Sequence, residues 1–302
     1  MSPTINWEPS TNSLRAIHSA ITGNEGEWPR PNIETSPITD EQRRRARRTW
    51  SDRVRGSYIT AEWAASLSRQ LLTLGAPLDL LTGASYVTQE LMHQLTVATH
   101  LLDPLQPVKT LSVPDDLFSQ CSGSGTWESV FDRTMELFVF DLALSQPIYE
   151  GLGAVSSDPA ISELCIAVAE SLDELIHFGE LSLQWMSQEL PTRVTASSQA
   201  RLPALLAAYE SICEGTPDTL DELAGKEITV ETRPGNLGTL QSDHLAAIFY
   251  DTLNRSIFPF LDSLGWRGLK AWQRHYRHAD HLQRRGAVVA AIGVRPLADA
   301  RR

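Results

Sequence analysis

The sequence predicts an all-α protein whose centre is a four-helix bundle, and three features of the chain support this fold class. The pattern Glu-x-x-His occurs twice in helix-like segments, at residues 90–93 and 174–177. Each copy follows another apolar, helix-like segment with one lone Glu, Glu62 or Glu136. A short breaker joins the members of each pair, whereas a long, proline-rich stretch joins the two pairs. This order is typical of bundles with one crossover connection.

Composition limits the class of protein. The chain has 302 residues, of which 42% are hydrophobic, so a substantial core can form. The formal net charge of −11 argues against a general binder of nucleic acid or of anionic membranes. No apolar stretch reaches the length of a membrane-spanning helix. Three scattered cysteines and the lack of a leader-like N-terminus predict a cytoplasmic protein with reduced thiols.

The first helix pair follows an N-terminal arm. Residues 1–38 show no sustained periodicity, and we expect this arm to pack on the domain through Trp7 and Trp28. Helix one is predicted to begin at the Thr-x-x-Gln capping pattern of residues 39–42 and to run toward residue 74. Helix two is predicted over residues 79–102 from its wide apolar stripe.

Equal arm lengths predict that the lone Glu of each pair faces the Glu of the Glu-x-x-His pattern. Glu62 lies thirteen residues before Gly75, and Glu90 lies thirteen after Pro77. In an antiparallel helical hairpin such residues lie at the same height.

The second pair repeats the spacing. Glu136 lies fifteen residues before Gly151, and Glu174 lies fifteen after Pro159, with the residues between Gly151 and Pro159 predicted to form a loop.

The remaining elements follow from breakers and periodicity. Residues 103–125 are predicted to form the crossover, residues 126–150 helix three, and residues 159–190 helix four. The bundle would then span residues 39–192, and residues 193–302 would form a helical extension packed on it within a single domain. Within that extension, helices are predicted near residues 198–214, 241–264 and 266–285, with a short strand-like segment at residues 227–231.

The two Glu-x-x-His patterns predict metal binding. Residues three apart lie on one stripe of a helix, so each Glu and His can reach a common cation. Carboxylates in apolar surroundings are costly to bury without compensation, and two divalent ions would balance four carboxylates. The predicted metal ligands are Glu62, Glu90, His93, Glu136, Glu174 and His177.

The register of the second pair stays open. Asp132 and Asp141 compete with Glu136, and Glu170, Asp173 and Glu180 compete with Glu174.

Three further side chains are candidates for supporting the metal ligands. Glu170 precedes Glu174 by one turn, and could be a supporting acid, a further ligand or an exposed residue. Tyr58 and Tyr86 stand one turn before Glu62 and Glu90, where they could hydrogen-bond a ligand or carry an electron, although core packing is the simpler interpretation.

Two charged clusters have simpler interpretations. His275, His278 and His281 recur every three residues, but neighbouring arginines would oppose a cation, which favours a solvated helix. The arginine-rich run of residues 43–48 predicts an exposed helix face, with docking of an acidic electron donor as the alternative.

Over residues 50–190 the chain resembles the ferritin-like non-haem di-iron carboxylate family, whose pattern of Glu, Glu-x-x-His, Glu, Glu-x-x-His the six predicted ligands match. The helices after the bundle look more like the oxygenase branch, including relatives of 4-aminobenzoate N-oxygenase. One position departs from those N-oxygenases, because Glu170 stands where they have an extra His.

The resemblance implies a function. Two Fe ions, or a Mn/Fe pair, would use O₂ to oxygenate a small organic substrate, by N-oxygenation or hydroxylation in a biosynthetic pathway. It also implies a ferredoxin or other acidic electron donor as partner. The alternatives are a ferroxidase, peroxidase or iron-storage protein, and a metal-free helical binding protein.

Overall fold

The structure is a computed structural model that describes residues 4–8, 18, 28–31, 38–106, 108–113, 125–213, 215, 223 and 232–274. The described residues are mostly helical, which confirms the all-α class. They form two compact units, each assembled from three stretches of chain. The first unit comprises Met1–Thr126, Leu152–Val168 and Thr232–Thr239, and the second comprises Trp127–Gly151, Ala169–Glu231 and Leu240–Arg302.

The first helix pair consists of α1 (Asp40–Thr73) and α2 (Leu78–Leu102), close to the predicted bounds. The Thr39 hydroxyl accepts a hydrogen bond from the Gln42 backbone N–H at 3.2 Å. The Gln42 side chain accepts one from the Thr39 backbone N–H at 2.8 Å. This reciprocal cap satisfies two amides that the first turn leaves unpaired, and it confirms the predicted start of the helix.

The two helices of this pair pack along their apolar faces. The Ser68 and Thr88 hydroxyl oxygens approach to 3.5 Å between them. Glu62 lies about three turns before the end of α1, and Glu90 lies about three turns after the start of α2. The two arms of the hairpin are therefore nearly equal in length.

A small sheet that the sequence pattern did not reveal ties the N-terminus to the chain after α2. Strands β1 (Thr4–Asn6) and β2 (Thr110–Ser112) pair in antiparallel fashion, with Ile5 opposite Leu111. Beside this sheet, the Trp7 indole N–H donates to the Asp103 carboxylate at 3.2 Å, so the arm packs through Trp7 as expected.

Trp50 anchors the late stretch of the first unit. Its side chain is fully buried, and its indole N–H donates to the Leu237 carbonyl at 3.0 Å. A Cβ on Gly238 would lie 3.0 Å from the Trp50 ring, so only glycine lets the backbone come this close.

The second helix pair begins with three consecutive helical segments: α3 (Trp127–Thr134), a π-helix (Met135–Leu142) and α4 (Ala143–Val155). It continues with α5 (Pro159–Glu189). The turn between α4 and α5 is thus only three residues long. Asp158 caps α5, because its Oδ1 accepts the Ala160 backbone N–H at 2.9 Å.

The predicted loop after residue 150 was wrong, because α4 continues through both glycines to Val155. A Cβ on Gly153 would lie 3.1 Å from the Cβ of Cys165 and 3.2 Å from the Ser162 carbonyl oxygen. Gly153 therefore lets α4 approach α5 closely within the first unit. A glycine retained for close packing is indistinguishable in sequence from one that marks a loop.

Because α4 is longer than predicted, Glu136 and Glu174 no longer lie at equal distances from the turn between α4 and α5, so the prediction that they lie at the same height loses its basis. About five turns separate Glu136 from the end of α4 at Val155, whereas only about four turns separate Glu174 from the start of α5 at Pro159. A difference of one helical turn corresponds to about 5 Å along the axis. In agreement, the ring of Phe138 contacts that of Phe178 at a centroid distance of 5.8 Å.

Further helices follow α5. They are α6 (Thr192–Ile212), α7 (Ser242–Thr252), a second π-helix (Leu253–Ile257), α8 (Phe258–Ser263) and α9 (Gly268–Trp272). The helices predicted near 198–214 and 241–264 are present, the first beginning earlier than expected. The strand-like segment 227–231 and the chain after residue 274, including His275, His278 and His281, lie outside the described residues. Among the helices that are described, none combines the length and apolarity needed to span a bilayer.

We expect Gly179→Ala to destabilise the protein strongly. Gly179 lies in α5, and a Cβ there would overlap the fully buried Phe138 side chain. Overpacking of this kind lowers the free energy of unfolding by about 3 kcal/mol. Urea unfolding followed by circular dichroism measures the change.

Gly56→Ala is the matched control for Gly179→Ala. Gly56 lies within α1, and nothing stands within 4 Å of its added Cβ. That variant should gain up to about 1 kcal/mol from helix propensity alone. Equal stabilities of the two variants would contradict the close contact between Phe138 and α5.

Candidate metal ligands and the polar network of the second helix pair

The first helix pair presents three of the predicted ligands, Glu62, Glu90 and His93, all of them half-buried. Glu90 Oε2 lies 3.8 Å from His93 Nδ1. Two donors bound to one ion at about 2.1 Å each are separated by about 3 to 4.2 Å. The spacing of this Glu and His is therefore compatible with a shared metal ion.

Glu62 supplies an independent observation. Its Oε2 atom is buried and has no hydrogen-bond partner among the described residues. Burying a carboxylate oxygen costs free energy when neither a hydrogen-bond donor nor a cation replaces the water that it loses. A bound cation would remove that cost.

An aromatic side chain from the N-terminal arm covers the outer side of His93. The Trp28 ring lies 5.4 Å from the His93 ring and 5.5 Å from the His100 ring, measured between centroids. His100 Nε2 lies 3.1 Å from the Pro29 carbonyl oxygen, within hydrogen-bond distance. The arm thus packs through Trp28 as expected, and it reduces the exposure of His93 to solvent.

In the second helix pair, Glu136 already has a cationic partner. Arg201 of α6 donates to Glu136 Oε1 at 2.9 Å and to Asp132 Oδ2 at 2.5 Å. Ser198, one turn before Arg201, donates to the other oxygen of Asp132. One guanidinium therefore bridges two carboxylates that stand one turn apart.

Burial dominates the electrostatics at Glu136. Removal from water raises the pKa of its carboxyl, while the charges of Arg201 and Arg133 oppose that rise and the neighbouring Asp132 adds to it. The ion pair with Arg201 is what makes a charged Glu136 acceptable here.

Asp141, also in the π-helix Met135–Leu142, contacts α6, the helix that carries Arg201. The Tyr209 hydroxyl donates to Asp141 Oδ1 at 2.5 Å, and the Tyr209 ring stacks on Phe140 at 4.9 Å. Desolvation by the surrounding protein raises the pKa of Asp141 from 3.8 to about 7, although the hydrogen bond from Tyr209 acts in the opposite direction. Asp141 is thus neutral over much of the acidic pH range.

Most of the remaining predicted residues are exposed. Glu174, His177 and Glu170 are exposed on α5. Tyr86 is 44% exposed and Tyr58 is half-buried. The exposure of Glu174 and His177 departs from the expectation of interior ligands. The buried face of α5 is formed by other residues, among them Leu172, Leu175 and Leu183, and the two predicted ligands lie outside it.

The two helix pairs therefore differ in how well they fit a metal ion. Within the described residues, no three side chains of His, Cys, Asp or Glu are gathered as ligands of one ion. The first pair fits in residue type, in the spacing of Glu90 and His93, and in the unpartnered oxygen of Glu62, although Glu62 is not gathered with the other two. The second pair does not fit as arranged, because Arg201 occupies Glu136.

Sequence reasoning missed the residues of α6. Arg201 and Tyr209 stand eight residues apart, which corresponds to about two turns on one face of a helix. That spacing indicates that the two residues share a face of α6, but nothing in the sequence predicts which acidic side chains pack against that face. Asp132, Glu136 and Asp141 were considered as rival metal ligands, whereas the structure gives them an arginine and a tyrosine.

In comparisons with known proteins, no family model, no curated protein and no solved structure matches this chain.

We expect Asp141→Asn to flatten the pH dependence of stability. Between pH 3.8 and about 7 the folded protein keeps the Asp141 proton that the unfolded chain loses. The free energy of unfolding should therefore fall as pH rises through this window, by at most about 1.4 kcal/mol per pH unit from this group. Asparagine keeps the acceptor for Tyr209 and has no proton to lose.

Urea unfolding at pH 4.5, 6 and 8 checks the effect of Asp141→Asn. The stability of the variant relative to the wild type should increase steadily across that series. Glu163→Gln, at an exposed position of α5, is the control and should show no such trend. A constant difference between Asp141→Asn and the wild type at all three pH values would rule out this role for Asp141.

Proposed function

We propose that the protein is a non-haem iron-dependent oxidoreductase that uses O₂ to oxidise a small organic substrate, in the manner of ferritin-like di-iron oxygenases. The observation that supports this most directly is the unpartnered, buried oxygen of Glu62. It occurs in the hairpin that also pairs Glu90 with His93 at 3.8 Å. The second Glu-x-x-His, at residues 174–177, is the reason for proposing two ions rather than one.

Glu62, Glu90 and His93 would hold the first ion after side-chain movements that gather them, since no three such donors stand together among the described residues. Two carboxylates and one imidazole are ligands suited to Fe(II), and they leave coordination positions open. Iron would supply one-electron and O₂ chemistry that no side chain provides. Trp28, packed on His93 and His100, would restrict access of water to the imidazole ligand and hold its ring in place.

Glu136, Glu174 and His177 would hold the second ion after a rearrangement. Arg201 must release Glu136, and it can do so while it keeps its contact with Asp132 at 2.5 Å. The half-exposed Arg201 thus acts as a substitute cation at Glu136 in the metal-free protein. Glu174 and His177 lie on the exposed face of α5, so this second ion should bind more weakly than the first.

A metal-free helical binding protein is the second candidate. Its support is the same ion pair, since Arg201 already pairs with both Asp132 and Glu136. A protein evolved to bind ligands without iron would need no release of this arginine.

Anaerobic titration with Fe(II) distinguishes the candidates. We expect one ion to bind tightly and a second more weakly, with His93→Ala losing the tight ion. His100→Ala is the matched control, since this residue also contacts Trp28 but is no predicted ligand. O₂ is then added with a panel of amines, acids and hydrocarbons, and mass spectrometry detects oxygenated products.

Each outcome of this titration has a meaning. Zero bound iron would reject the proposal in favour of the binding protein. Iron that oxidises into a mineral core without organic product would indicate a ferroxidase or storage protein instead. Tight binding that His93→Ala leaves unchanged would reject the ligand set.

Arg201→Gln tests the second ion. Without iron, the variant should lose about 1–2 kcal/mol of stability, because Asp132 and Glu136 lose the guanidinium that bridges them. With iron, its weaker site should bind about tenfold more tightly, because no arginine competes for Glu136. Calorimetric titration measures the affinity.

Arg193→Gln is the control for Arg201→Gln. Arg193 lies on the same helix, is highly exposed and approaches Glu128 only at 3.8 Å. It should alter neither the stability nor the iron affinity. An unchanged second affinity in Arg201→Gln would remove Glu136 from the ligand set.

A further inference from the structure

A small cavity lies within the second unit, apart from the ion pairs of Arg201. Residues of the π-helix Met135–Leu142, of α4, of α5, of the second π-helix and of α8 line it. Its volume is about 90 Å³. Both π-helical segments thus contribute to one cavity, and such segments are frequent at functional sites because their extra residue redirects side chains.

The walls of the cavity are mostly apolar. Phe138, Val139, Ala143, Ile176, Ile257 and Phe260 provide this surface. A short hydrocarbon group would be desolvated against them, and burial of each methylene contributes about 0.8 kcal/mol.

Three polar side chains also line the cavity: Glu180, Gln146 and Ser256. No hydrogen bond or ion pair of the Glu180 carboxylate occurs among the described residues. Burial raises the pKa of this carboxyl, and the charge of His177, one turn before it on α5, opposes that rise. The Gln146 amide donates through Nε2 to Asp173 and to the Ala169 carbonyl. Its Oε1 is therefore the atom left to accept a hydrogen bond from a ligand.

These groups select the chemistry of the ligand. A half-buried carboxylate and an amide oxygen are both acceptors, and a serine hydroxyl can also accept. A primary ammonium group carries three donors and one positive charge, which matches the three acceptors and neutralises Glu180. An anionic ligand would instead face the carboxylate directly.

We propose that this cavity is a binding site for a short aliphatic primary amine, with its ammonium group on Glu180 and Gln146 and its hydrocarbon part between Phe138 and Phe260. The volume limits the hydrocarbon part to about four carbons, since a dry cavity of about 150 Å³ accepts benzene. The site requires no metal ion, so it stands independently of the proposed iron chemistry.

Calorimetry or ligand-observed NMR on the full, iron-free chain at pH 7.5 tests the site with three probes of similar shape: isobutylamine, isobutanol and isovalerate. We expect isobutylamine to bind at least tenfold more tightly than isobutanol, and isovalerate to bind more weakly still. Glu180→Gln should weaken amine binding about tenfold, the usual effect of losing a charge-assisted hydrogen bond. It should leave isobutanol binding unchanged.

Two further variants separate binding in the cavity from general effects. Ala143→Val narrows the cavity and should weaken both the amine and the alcohol, while circular dichroism verifies that the variant is folded. Glu189→Gln removes an exposed carboxylate from the same helix and should change nothing.

Three results would overturn the proposal. These are no amine binding at all, equal affinities for amine and alcohol, and unchanged amine affinity in Glu180→Gln. Because iron is absent throughout, each of them leaves the outcome of the iron titration unaffected.

Discussion

The pairing of Arg201 with Asp132 and Glu136 is the constraint that decides which chemistry the second helix pair can support. Two carboxylates one turn apart cannot both stay charged in partly desolvated surroundings without a cation. A guanidinium satisfies them with two directed hydrogen bonds from separate nitrogens of one rigid group, whereas a lysine would have to reach both from a single nitrogen. The same contact decides whether Glu136 is available to any other cation. The contact between Arg201 and Glu136 thus stabilises the chain without iron, but it must break before Glu136 can bind the proposed second iron.

The π-helix explains why these acids face α6 together. A helix with hydrogen bonds between residues five apart brings Glu136 and Asp141 onto one side, whereas an α-helix would separate them. All the remaining residues of this segment are buried. The wider turn therefore buries a nearly continuous apolar run and still directs two acids toward Arg201 and Tyr209. Its opposite side contributes Phe138 and Val139 to the cavity.

Local signals in the sequence predicted much of the fold. The capping pattern of Thr39 and the breakers between α1 and α2 gave the first helix pair almost to the residue, because capping is encoded within one turn. Packing between distant segments was not readable. Gly153 looked like a loop glycine, although Cys165 requires it to be small, and that error shifted the level of Glu136 against α5. Arg201 escaped notice because its partners lie some 65 residues away in the chain.

The division of the chain into units has a consequence for how the protein is synthesised. The first unit includes Thr232–Thr239, and the carbonyl that receives the Trp50 indole belongs to Leu237. A ribosome that has released the first two hundred residues has therefore completed neither unit. In the nascent chain, the Trp50 indole N–H therefore cannot form its hydrogen bond until the segment around Leu237 emerges. The first unit can close only after residue 239 has emerged, by which point two of the three stretches of the second unit have also been made. Truncation after residue 126, 151, 168 or 231 would leave both units incomplete.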